Sequence, residues 1–329
     1  MVVTLGNEGD SCDWWNVMRV LVTGAAGFVG SHVCEQALAD GHEVVGIDAF
    51  IPYYPRAIKE RNLASVCQHP RFTLLELDLR SAPLARALDG VTHVVHEAAM
   101  PGLPRSWSDF ELYMTCNLLA TQRLLEAARA AAVERFLHIS TSSVYGSEAV
   151  GDESLPVQPT SPYGVTKLAA EHLVLAWTRA FDFPATIVRY FSIYGPRQRP
   201  DMAYNIFTRA MLAGEPITVF GDGEQTRSNT YISDCVQGTL LALRGGNTGA
   251  IYNIGGGASL TLNRAIELLA QAAGVEPRIE HAAPRLGDQR HTAADTSKAR
   301  ATFGYEPLVL PEEGLRRQVE WQRSMLDAV

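Results

Sequence analysis

A short apolar strand, a glycine-rich turn and a helix follow one another near the start of the chain, and this order constrains the fold more than any other feature. The strand is predicted over Val17–Thr23, and helical spacing of apolar residues covers Phe28–Ala39. Between them, Gly24 permits a tight turn, Gly27 lets the backbone approach a phosphate, and Gly30 lets helix and strand pack closely. Because free N–H groups at a helix N-terminus attract anions, the turn predicts a dinucleotide site. Its expected residues are Gly24, Gly27, Phe28, Val29 and Gly30.

Two acidic residues at strand ends are candidates for binding the same dinucleotide. Asp48 ends the predicted strand Glu43–Asp48, where its carboxylate would accept both hydroxyls of the adenosine ribose. It would repel a 2′-phosphate, so NAD is favoured over NADP. Asp78 and Leu79 follow the predicted strand Phe72–Leu77 and are placed near the adenine. The alternatives are a solvated aspartate at position 48 and a helix N-cap at position 78.

Strands and helices alternate through the first 190 residues. Such alternation is typical of an α/β fold with a Rossmann-type, doubly wound parallel sheet. Residue 41 is a glycine that would end the first helix. Further strands are predicted over Thr92–His96, Arg135–Ser140 and Ala185–Tyr190, and further helices over Ser81–Leu88, Ser106–Ala130 and Tyr163–Ala180.

After Tyr190 the predicted elements become shorter and mixed, with more Pro and Gly between them. We expect residues 17–190 to form a dinucleotide-binding domain and residues 191–329 a smaller mixed α/β lobe, interleaved with the main sheet, that binds substrate. Residues 1–16 are expected to be a polar extension. In the smaller lobe, helices are predicted over Ala203–Ala213, Cys235–Leu243, Leu262–Ala272 and Pro311–Leu326, and strands over Ile217–Phe220 and Ile251–Ile254.

The charge and cysteine content disfavour several classes of protein. The net charge of -8 argues against a nucleic-acid binder that depends on phosphate contacts. The 5 cysteines are scattered and never have CxxC spacing, which disfavours zinc or disulfides and favours a reducing cytoplasm. No apolar run reaches the roughly 18 residues that a membrane span needs. The first sixteen residues lack a basic residue, so a secretory signal is not expected.

Tyr163 and Lys167 are four residues apart and would share one helix face. A lysine ammonium there would lower the free energy of ionising the phenol, which could then act as a base toward a sugar hydroxyl. The spacing is common by chance and carries weight only together with other motifs.

Those other motifs cover almost the whole chain. The sequence resembles the extended short-chain dehydrogenase/reductases, specifically the nucleotide-sugar epimerases and dehydratases, and most of all the UDP-glucuronate 4-epimerases. The resemblance implies that Thr141 joins Tyr163 and Lys167 in catalysis, that Lys167 also holds the nicotinamide ribose, and that Asn117 supports the site. An ordinary helix asparagine is an alternative for Asn117. The motifs are VLVTGAAGFVG, GIDAF, ELDLR, VVHEAA, STSSVYG, SPYGVTK, RYFSIYGPRQRPD, VFGDGEQTRS and GDQRHTAADTSKA, between about Met18 and Trp321.

The two residues after Thr141 distinguish the reactions of this family. The sugar 4,6-dehydratases carry Asp and Glu there, and the UDP-glucuronate decarboxylases usually carry Glu at the second place. This chain has Ser142 and Ser143, which offer no titratable acid. The resemblance therefore implies simple 4-epimerisation through a 4-keto sugar. A decarboxylase, a dehydratase and a non-catalytic NAD-binding protein are the less favoured alternatives.

The sugar is harder to assign. In the UDP-glucuronate 4-epimerases an arginine of the YGPxxRPD stretch meets the sugar carboxylate, and Arg199 stands there, with Ser192 before it. Two departures leave UDP-glucose or an N-acetyl sugar open: RQR replaces the commoner WGR, and EAAMPGLPRSW replaces a LAAQAGVR-type run. Arg105 in that second run is another candidate for the sugar end.

The nucleotide end of the site looks generic for the family. The resemblance implies that Arg227 and Arg285 grip the diphosphate, that Asp288 contacts the ribose, and that Phe220 lines the uracil pocket unless it is a core aromatic. It also implies a homodimer, formed through a bundle of the Tyr163 helix and the preceding helix of the partner subunit.

Overall fold

A computed structural model describes residues 17–284 and 289–326 of the chain. Its secondary structure confirms the α/β class and most of the predicted elements. The strands are β1 (Arg19–Thr23), β2 (Glu43–Asp48), β3 (Phe72–Glu76), β4 (His93–His96), β5 (Arg135–Thr141), β6 (Glu148–Gly151), β7 (Ala185–Tyr190), β8 (Ile193–Tyr194), β9 (Ile217–Phe220), β10 (Thr226–Arg227), β11 (Thr230–Tyr231), β12 (Ile251–Ile254), β13 (Leu260–Thr261), β14 (Ile279–Ala282) and β15 (His291–Ala294).

Helices connect these strands and cover the main sheet. The α-helices are α1 (Phe28–Ala39), α2 (Arg56–Leu63), α3 (Arg105–Ser108), α4 (Phe110–Met114), α5 (Ala120–Ala130), α6 (Pro162–Phe181), α7 (Ala203–Ala213), α8 (Ile232–Gly245), α9 (Leu262–Ala273), α10 (Ser297–Phe303) and α11 (Pro311–Leu326). Short 3₁₀ turns cover Ala85–Leu88 and Ser142–Val144, and a π-helical turn covers Thr115–Leu119.

The main sheet has seven parallel strands in the order β12-β7-β5-β4-β1-β2-β3. The chain builds outward from β1 through β2 to β3, and then crosses to the other side of β1 to place β4. The strand order therefore reverses between β1 and β4. In such sheets a crevice opens there, outside the carboxyl ends of the strands, and binds ligands.

Both faces of the sheet are buried, which explains why its central strands are continuously apolar. Val20 and Val22 pack into one core cluster, while Leu21 between them packs into the other. All three side chains have 0% exposure. Helices on both faces provide this burial, as expected for a doubly wound sheet.

Smaller sheets carry much of the chain after residue 190. A mixed sheet has the order β13-β10-β15-β6, and β9 pairs in parallel with β14, as β8 does with β11. The chain also returns to the main sheet, because β12 pairs in parallel with β7. The division into domains at residue 190 stays a prediction.

Two predicted helices were wrong in extent. Over Ser81–Leu88 only a 3₁₀ turn at Ala85–Leu88 forms, and Pro83 explains this, because proline lacks an N–H and disfavours a helical residue before it. The helix predicted over Ser106–Ala130 is interrupted at Asp109, whose φ of -128° is not helical, and again by the π turn. None of the helices in the described part of the chain is long and apolar enough to cross a membrane.

Candidate active site

A cleft of about 400 Å³ opens at the carboxyl edge of the main sheet, where the strand order reverses. It brings together residues that are distant in sequence, from the glycine turn after β1 to the segment after β7. Among the predicted site residues, the cleft is lined by Gly24, Gly27, Phe28, Val29, Gly30, Asp48, Asp78, Leu79, Thr141, Ser142, Ser143, Tyr163, Lys167, Ser192, Arg199 and Arg227.

The glycine turn has the geometry of a phosphate cradle. Gly24 adopts a left-handed φ of 72°, and its N–H donates to the carbonyl oxygen of Ile47 on β2 at 2.7 Å. A Cβ atom on Gly30 would collide with the carbonyl group of Gly24, so only glycine allows this approach. Gly27 is the N-cap of α1 and has no side chain to cap the first N–H groups. These groups lie at the cleft and fit the pyrophosphate of a dinucleotide.

Asp48 lies at the end of β2 and faces the same cleft, 7% exposed. Its carboxylate accepts hydrogen bonds from the backbone N–H of Phe50 at 2.7 Å and of Ala26 at 3.2 Å. Lys59 of α2 forms an ion pair with it, Nζ to Oδ1, at 3.1 Å. Lys59 was not predicted, because nothing in the sequence shows that α2 folds back over the end of β2.

Asp78 is paired with a neighbour in the chain. The guanidinium of Arg80 donates to both carboxylate oxygens, with Nη2 to Oδ2 at 2.7 Å and Nε to Oδ1 at 3.0 Å. These hydrogen bonds hold the pKa of Asp78 below its usual value. Asp78 and Leu79 both line the cleft, so a contact with the adenine remains a prediction.

Thr141, Tyr163 and Lys167 line the same cleft. Ser161 caps α6 by accepting the N–H of Gly164 at 3.1 Å, and this fixes Tyr163 in the first turn of the helix. Burial raises the pKa of Tyr163, while a hydrogen bond with Thr141 and the charge of Arg199 lower it. The ammonium of Lys167, only 4% exposed, donates to the carbonyl oxygen of Ile139 at 2.6 Å. Burial lowers the pKa of Lys167 to about 8.

Asn117 lies in the π turn and supports the site from behind. Its amide donates to the hydroxyl of Thr166 on α6 at 3.0 Å and to the carbonyl oxygen of Met100 at 3.2 Å. Its side-chain oxygen accepts the N–H of Met100 at 2.7 Å. Asn117 therefore links α6 to the segment after β4, but it does not line the cleft in this structure.

Arg199, which the resemblance predicts at the sugar, lines the cleft. Arg199 is 19% exposed and lies between Tyr53, Tyr54 and Asp201. The guanidinium of Arg199 donates two hydrogen bonds to the carboxylate of Asp201, at 2.9 and 3.0 Å. Ser142, Ser143 and Ser192 line the same cleft with hydroxyl groups and carry no acid.

The two residues before Arg199 anchor its loop, which explains one departure from the family pattern. Arg197 has a left-handed φ of 66° and donates to Glu35 of α1 at 2.6 Å. The buried side chain of Gln198 accepts from the backbone N–H of Asn205 at 2.9 Å and from Gln318 at 2.8 Å. The loop is thus tied to the helix that follows the glycine turn.

The remaining predicted residues are placed as follows. Arg227 lines the cleft and donates to the carbonyl oxygens of Gln289 and Arg290. Arg285 and Asp288 lie outside the described residues. Phe220 on β9 and Arg105 on α3 do not line this cleft, although the guanidinium carbon of Arg105 is 5.3 Å from the ring of Tyr53, which does.

Comparisons with known proteins identify relatives of this chain. The model of the NAD dependent epimerase/dehydratase family matches residues 20–255. A Bacillus subtilis protein named uncharacterized UDP-glucose epimerase YtcB is 41% identical over 312 residues, which are 94% of this chain and 99% of that protein. The solved UDP-glucuronic acid 4-epimerase of Bacillus cereus, in complex with UDP-glucuronic acid and NAD, is 41% identical, with a TM-score of 0.91 over 94% of this chain and 100% of that one.

A second solved structure is that of an enzyme named for a different reaction. The dTDP-glucose 4,6-dehydratase DesIV of Streptomyces venezuelae, solved with NAD bound, is 35% identical, with a TM-score of 0.87 over 93% of this chain and 97% of that one. The predicted resemblance is therefore confirmed: this chain belongs to the NAD dependent epimerase/dehydratase family.

Proposed function

We propose that the protein is an NAD-dependent 4-epimerase of a UDP-sugar and that UDP-glucuronate is its substrate. The residues that line the cleft are the observation that supports this type of reaction. Thr141, Tyr163 and Lys167 share it with the glycine turn, and the next two side chains, Ser142 and Ser143, are hydroxyls. Eliminating water from the sugar requires an acid that these two residues do not supply.

The proposed mechanism assigns each step to a side chain. NAD, when bound, supplies the hydride acceptor and donor at the sugar C4. Tyr163 takes the proton of the C4 hydroxyl. It returns the proton after the 4-keto sugar has rotated in the site and presents its other face. Thr141 hydrogen-bonds the reacting oxygen, and the ammonium of Lys167 stabilises the phenolate form of Tyr163. The Gly24–Gly30 turn holds the pyrophosphate through backbone N–H groups.

Arg199 supports the choice of glucuronate. Its guanidinium is at the sugar end of the cleft, and its fork matches a carboxylate bidentately. The hydroxyls of Ser142, Ser143 and Ser192 would complete a site for the carboxylate. The Bacillus cereus structure contains UDP-glucuronic acid, which adds support from a protein with 41% identity.

One observation favours a second candidate, epimerisation of UDP-glucose. Asp201 already occupies the fork of Arg199, so that the pair has no net charge in this structure. A neutral sugar would leave this pair intact, and the Bacillus subtilis relative is named a UDP-glucose epimerase.

We also propose a homodimer. Five apolar side chains on α3, α4, the π turn and α6, elements that contact one another, are 41% to 55% exposed. Exposed apolar residues that cluster are typical of an interaction surface. A second copy of the chain would cover it. The residues are Trp107, Phe110, Met114, Leu119 and Val165.

A cytoplasmic location is proposed from the scattered free cysteines.

The test of the reaction is to incubate the purified protein with NAD and either UDP-glucuronate or UDP-glucose, and to separate the products. Conversion of UDP-glucuronate to UDP-galacturonate supports the first proposal, and conversion of UDP-glucose alone supports the second. Release of a UDP-pentose or a 4-keto-6-deoxy sugar as the main product would contradict both.

A further inference from the structure

Glu97 lies where β4 ends and lines the cleft together with Tyr163 and Lys167. It stands in the EAAMPGLPRSW run, at the place where the family pattern usually has leucine. A carboxylate therefore replaces an apolar side chain at the strand end beside the glycine turn. The proposed mechanism does not use this carboxylate.

Lys167 needs a counter-charge, because a buried ammonium is stable only when an opposite charge or good hydrogen bonds compensate for lost water. The carbonyl oxygen of Ile139 provides a hydrogen bond at 2.6 Å but no formal charge. Two carboxylates interact electrostatically with this ammonium, those of Glu97 and Glu171.

The charge of Glu171 is already balanced. Arg189 of β7 donates to both of its carboxylate oxygens, with Nη2 to Oε2 at 2.7 Å and Nε to Oε1 at 2.9 Å. The hydroxyl of Ser140 donates to the same carboxylate at 2.5 Å. Both members of this ion pair are almost fully buried, at 4% and 1% side-chain exposure. Glu171 therefore contributes little net charge toward Lys167.

Glu97 has no such partner among the described residues. The hydroxyl of Tyr190 on β7 donates to its Oε2 at 3.4 Å, and no described basic side chain lies within 4 Å of it. β4 pairs in parallel with β5, with His96 opposite His138, so Glu97 follows at the strand end next to Ile139, whose carbonyl oxygen binds the ammonium of Lys167. The other titratable groups near Glu97 are Tyr163 of α6 and Cys235 of α8, both uncharged at neutral pH. We propose that Glu97 is the counter-ion of Lys167 in the cleft and a positioning residue for the acid–base chemistry of Tyr163.

The electrostatics of the cleft agree with this geometry. Burial raises the pKa of Glu97 to about 7, and the charge of Lys167 opposes that rise. Burial lowers the pKa of Lys167 to about 8, and the charges of Glu97 and Glu171 oppose that fall. The negative charge of Glu97 also raises the pKa of Tyr163. Removing this charge would therefore make both Lys167 and Tyr163 more acidic.

The chain offers a direct test, because it contains only three lysines, Lys59, Lys167 and Lys298. Protein labelled with ¹³C at lysine Cε gives one resonance for each, and single Lys59→Arg and Lys298→Arg variants assign them. We expect Glu97→Gln to move the titration midpoint of Lys167 down by about 1 pH unit or more, the usual effect of losing a nearby opposite charge. Glu97→Asp should restore most of the shift. An unchanged Lys167 midpoint in folded Glu97→Gln protein would overturn the proposal.

A second measurement separates charge from packing. The pH dependence of kcat/KM is compared between the parent and Glu97→Leu. This variant restores the family's usual residue. Because Tyr163 must ionise and Lys167 must stay charged, both limbs of the profile should move to lower pH in Glu97→Leu. A lower rate with unmoved limbs would indicate a packing role only. The lysine titration needs no substrate, so it tests Glu97 even if the proposed reaction, on which the acid–base role rests, is wrong.

Discussion

Arg199 and Asp201 form a bidentate ion pair where the sugar is proposed to bind, with Nε to Oδ1 at 3.0 Å and Nη2 to Oδ2 at 2.9 Å. The hydroxyl of Tyr53 donates to the same carboxylate at 3.3 Å. Asp201 thus occupies the position on Arg199 that the carboxylate of a sugar acid would need. A charged substrate must compete with it, whereas a neutral sugar need not.

This competition predicts the effect of Asp201→Asn. Without the aspartate charge, the guanidinium is free for the substrate, so the KM for UDP-glucuronate should fall several-fold while that for UDP-glucose stays unchanged. Asp109→Asn is the matched control, because Asp109 pairs with Arg105 at 2.8 Å in the same way. Equal changes for the two sugars would show that Asp201 acts only on the loop.

The base is tested by Tyr163→Phe. This change removes the phenol but keeps the ring, so turnover should fall by at least ~10²-fold, the usual scale for a lost acid–base group. Binding of the UDP-sugar, measured by calorimetry on the same variant, should stay near that of the parent. Unchanged turnover would remove Tyr163 from the proposed mechanism.

Changing either member of the ion pair between Asp48 and Lys59 should change the preference for NAD over NADP, in opposite directions. We expect the parent to bind NAD more tightly than NADP, because the Asp48 carboxylate repels a 2′-phosphate. Asp48→Asn should narrow this ratio, and Lys59→Met should widen it by leaving the carboxylate unbalanced. Dissociation constants of both cofactors for the three proteins check the prediction; equal binding of NAD and NADP to the parent would contradict it.

Buried histidines predict how stability depends on pH. Burial lowers the pKa of His96 to about 3 and of His32 to about 4, and it holds the pKa of His138 well below its usual value. Below about pH 6.5 the unfolded chain binds these protons and the folded chain does not, so stability falls as the pH falls. Glu97, whose pKa is raised, opposes this trend below pH 7 with one proton. Three histidines outweigh this one carboxyl group, so the free energy of unfolding should decrease as the pH falls.

The loss should be on the order of 1.4 kcal/mol per pH unit for each net proton, measured by urea unfolding between pH 7.5 and 5.5. His138 offers the control, because neither of its ring nitrogens has a hydrogen-bond partner in the structure. His138→Phe should reduce the slope of unfolding free energy against pH by the amount that corresponds to about one proton. Stability at pH 7.5 should not fall. A parallel curve at lower stability would contradict this account of His138.

The sequence predicted elements whose determinants are local. The helix Phe28–Ala39 and the strands Glu43–Asp48 and Ala185–Tyr190 have the expected bounds, because their apolar patterns are bounded by glycine or, before Ala185, by proline. The break at Asp109 and the π turn that carries Asn117 were not predicted. Asn117 forms hydrogen bonds to Met100 and Thr166, which are distant in sequence, and no local pattern indicates such contacts.

The site was predicted as far as motifs describe it. Residues from the glycine turn, the end of β5 and the start of α6 do meet in one cleft, as the family resemblance implied. The pairings of Asp48 with Lys59 and of Arg199 with Asp201, and the position of Glu97 near Lys167, depend on three-dimensional contacts that no spacing indicates. These contacts decide charge in the cleft, so the choice of sugar could not be settled from the sequence.

The sharpest test of the sugar is Arg199→Ala. Oxidation of UDP-glucuronate at C4 gives a β-keto acid, which loses CO₂ readily when its C5–C6 bond is perpendicular to the ketone plane. A charge-assisted contact from Arg199 would hold the carboxylate away from that arrangement and keep its negative charge. Losing such a contact costs about 2–5 kcal/mol in a desolvated site. We therefore expect weaker UDP-glucuronate binding, slower epimerisation and a larger fraction of UDP-pentose product.

The matched control for this variant is Arg105→Ala. The guanidinium carbons of Arg105 and Arg199 lie 5.3 and 5.8 Å from the ring of Tyr53, and each arginine pairs with an aspartate, but only Arg199 lines the cleft. Loss of either charge changes the field around Tyr53 in a similar way. If Arg199 holds the carboxylate, only Arg199→Ala releases UDP-pentose, whereas the same product from Arg105→Ala would transfer the role to Arg105. If neither variant changes UDP-glucuronate turnover, the carboxylate contact is absent and the neutral-sugar function takes its place.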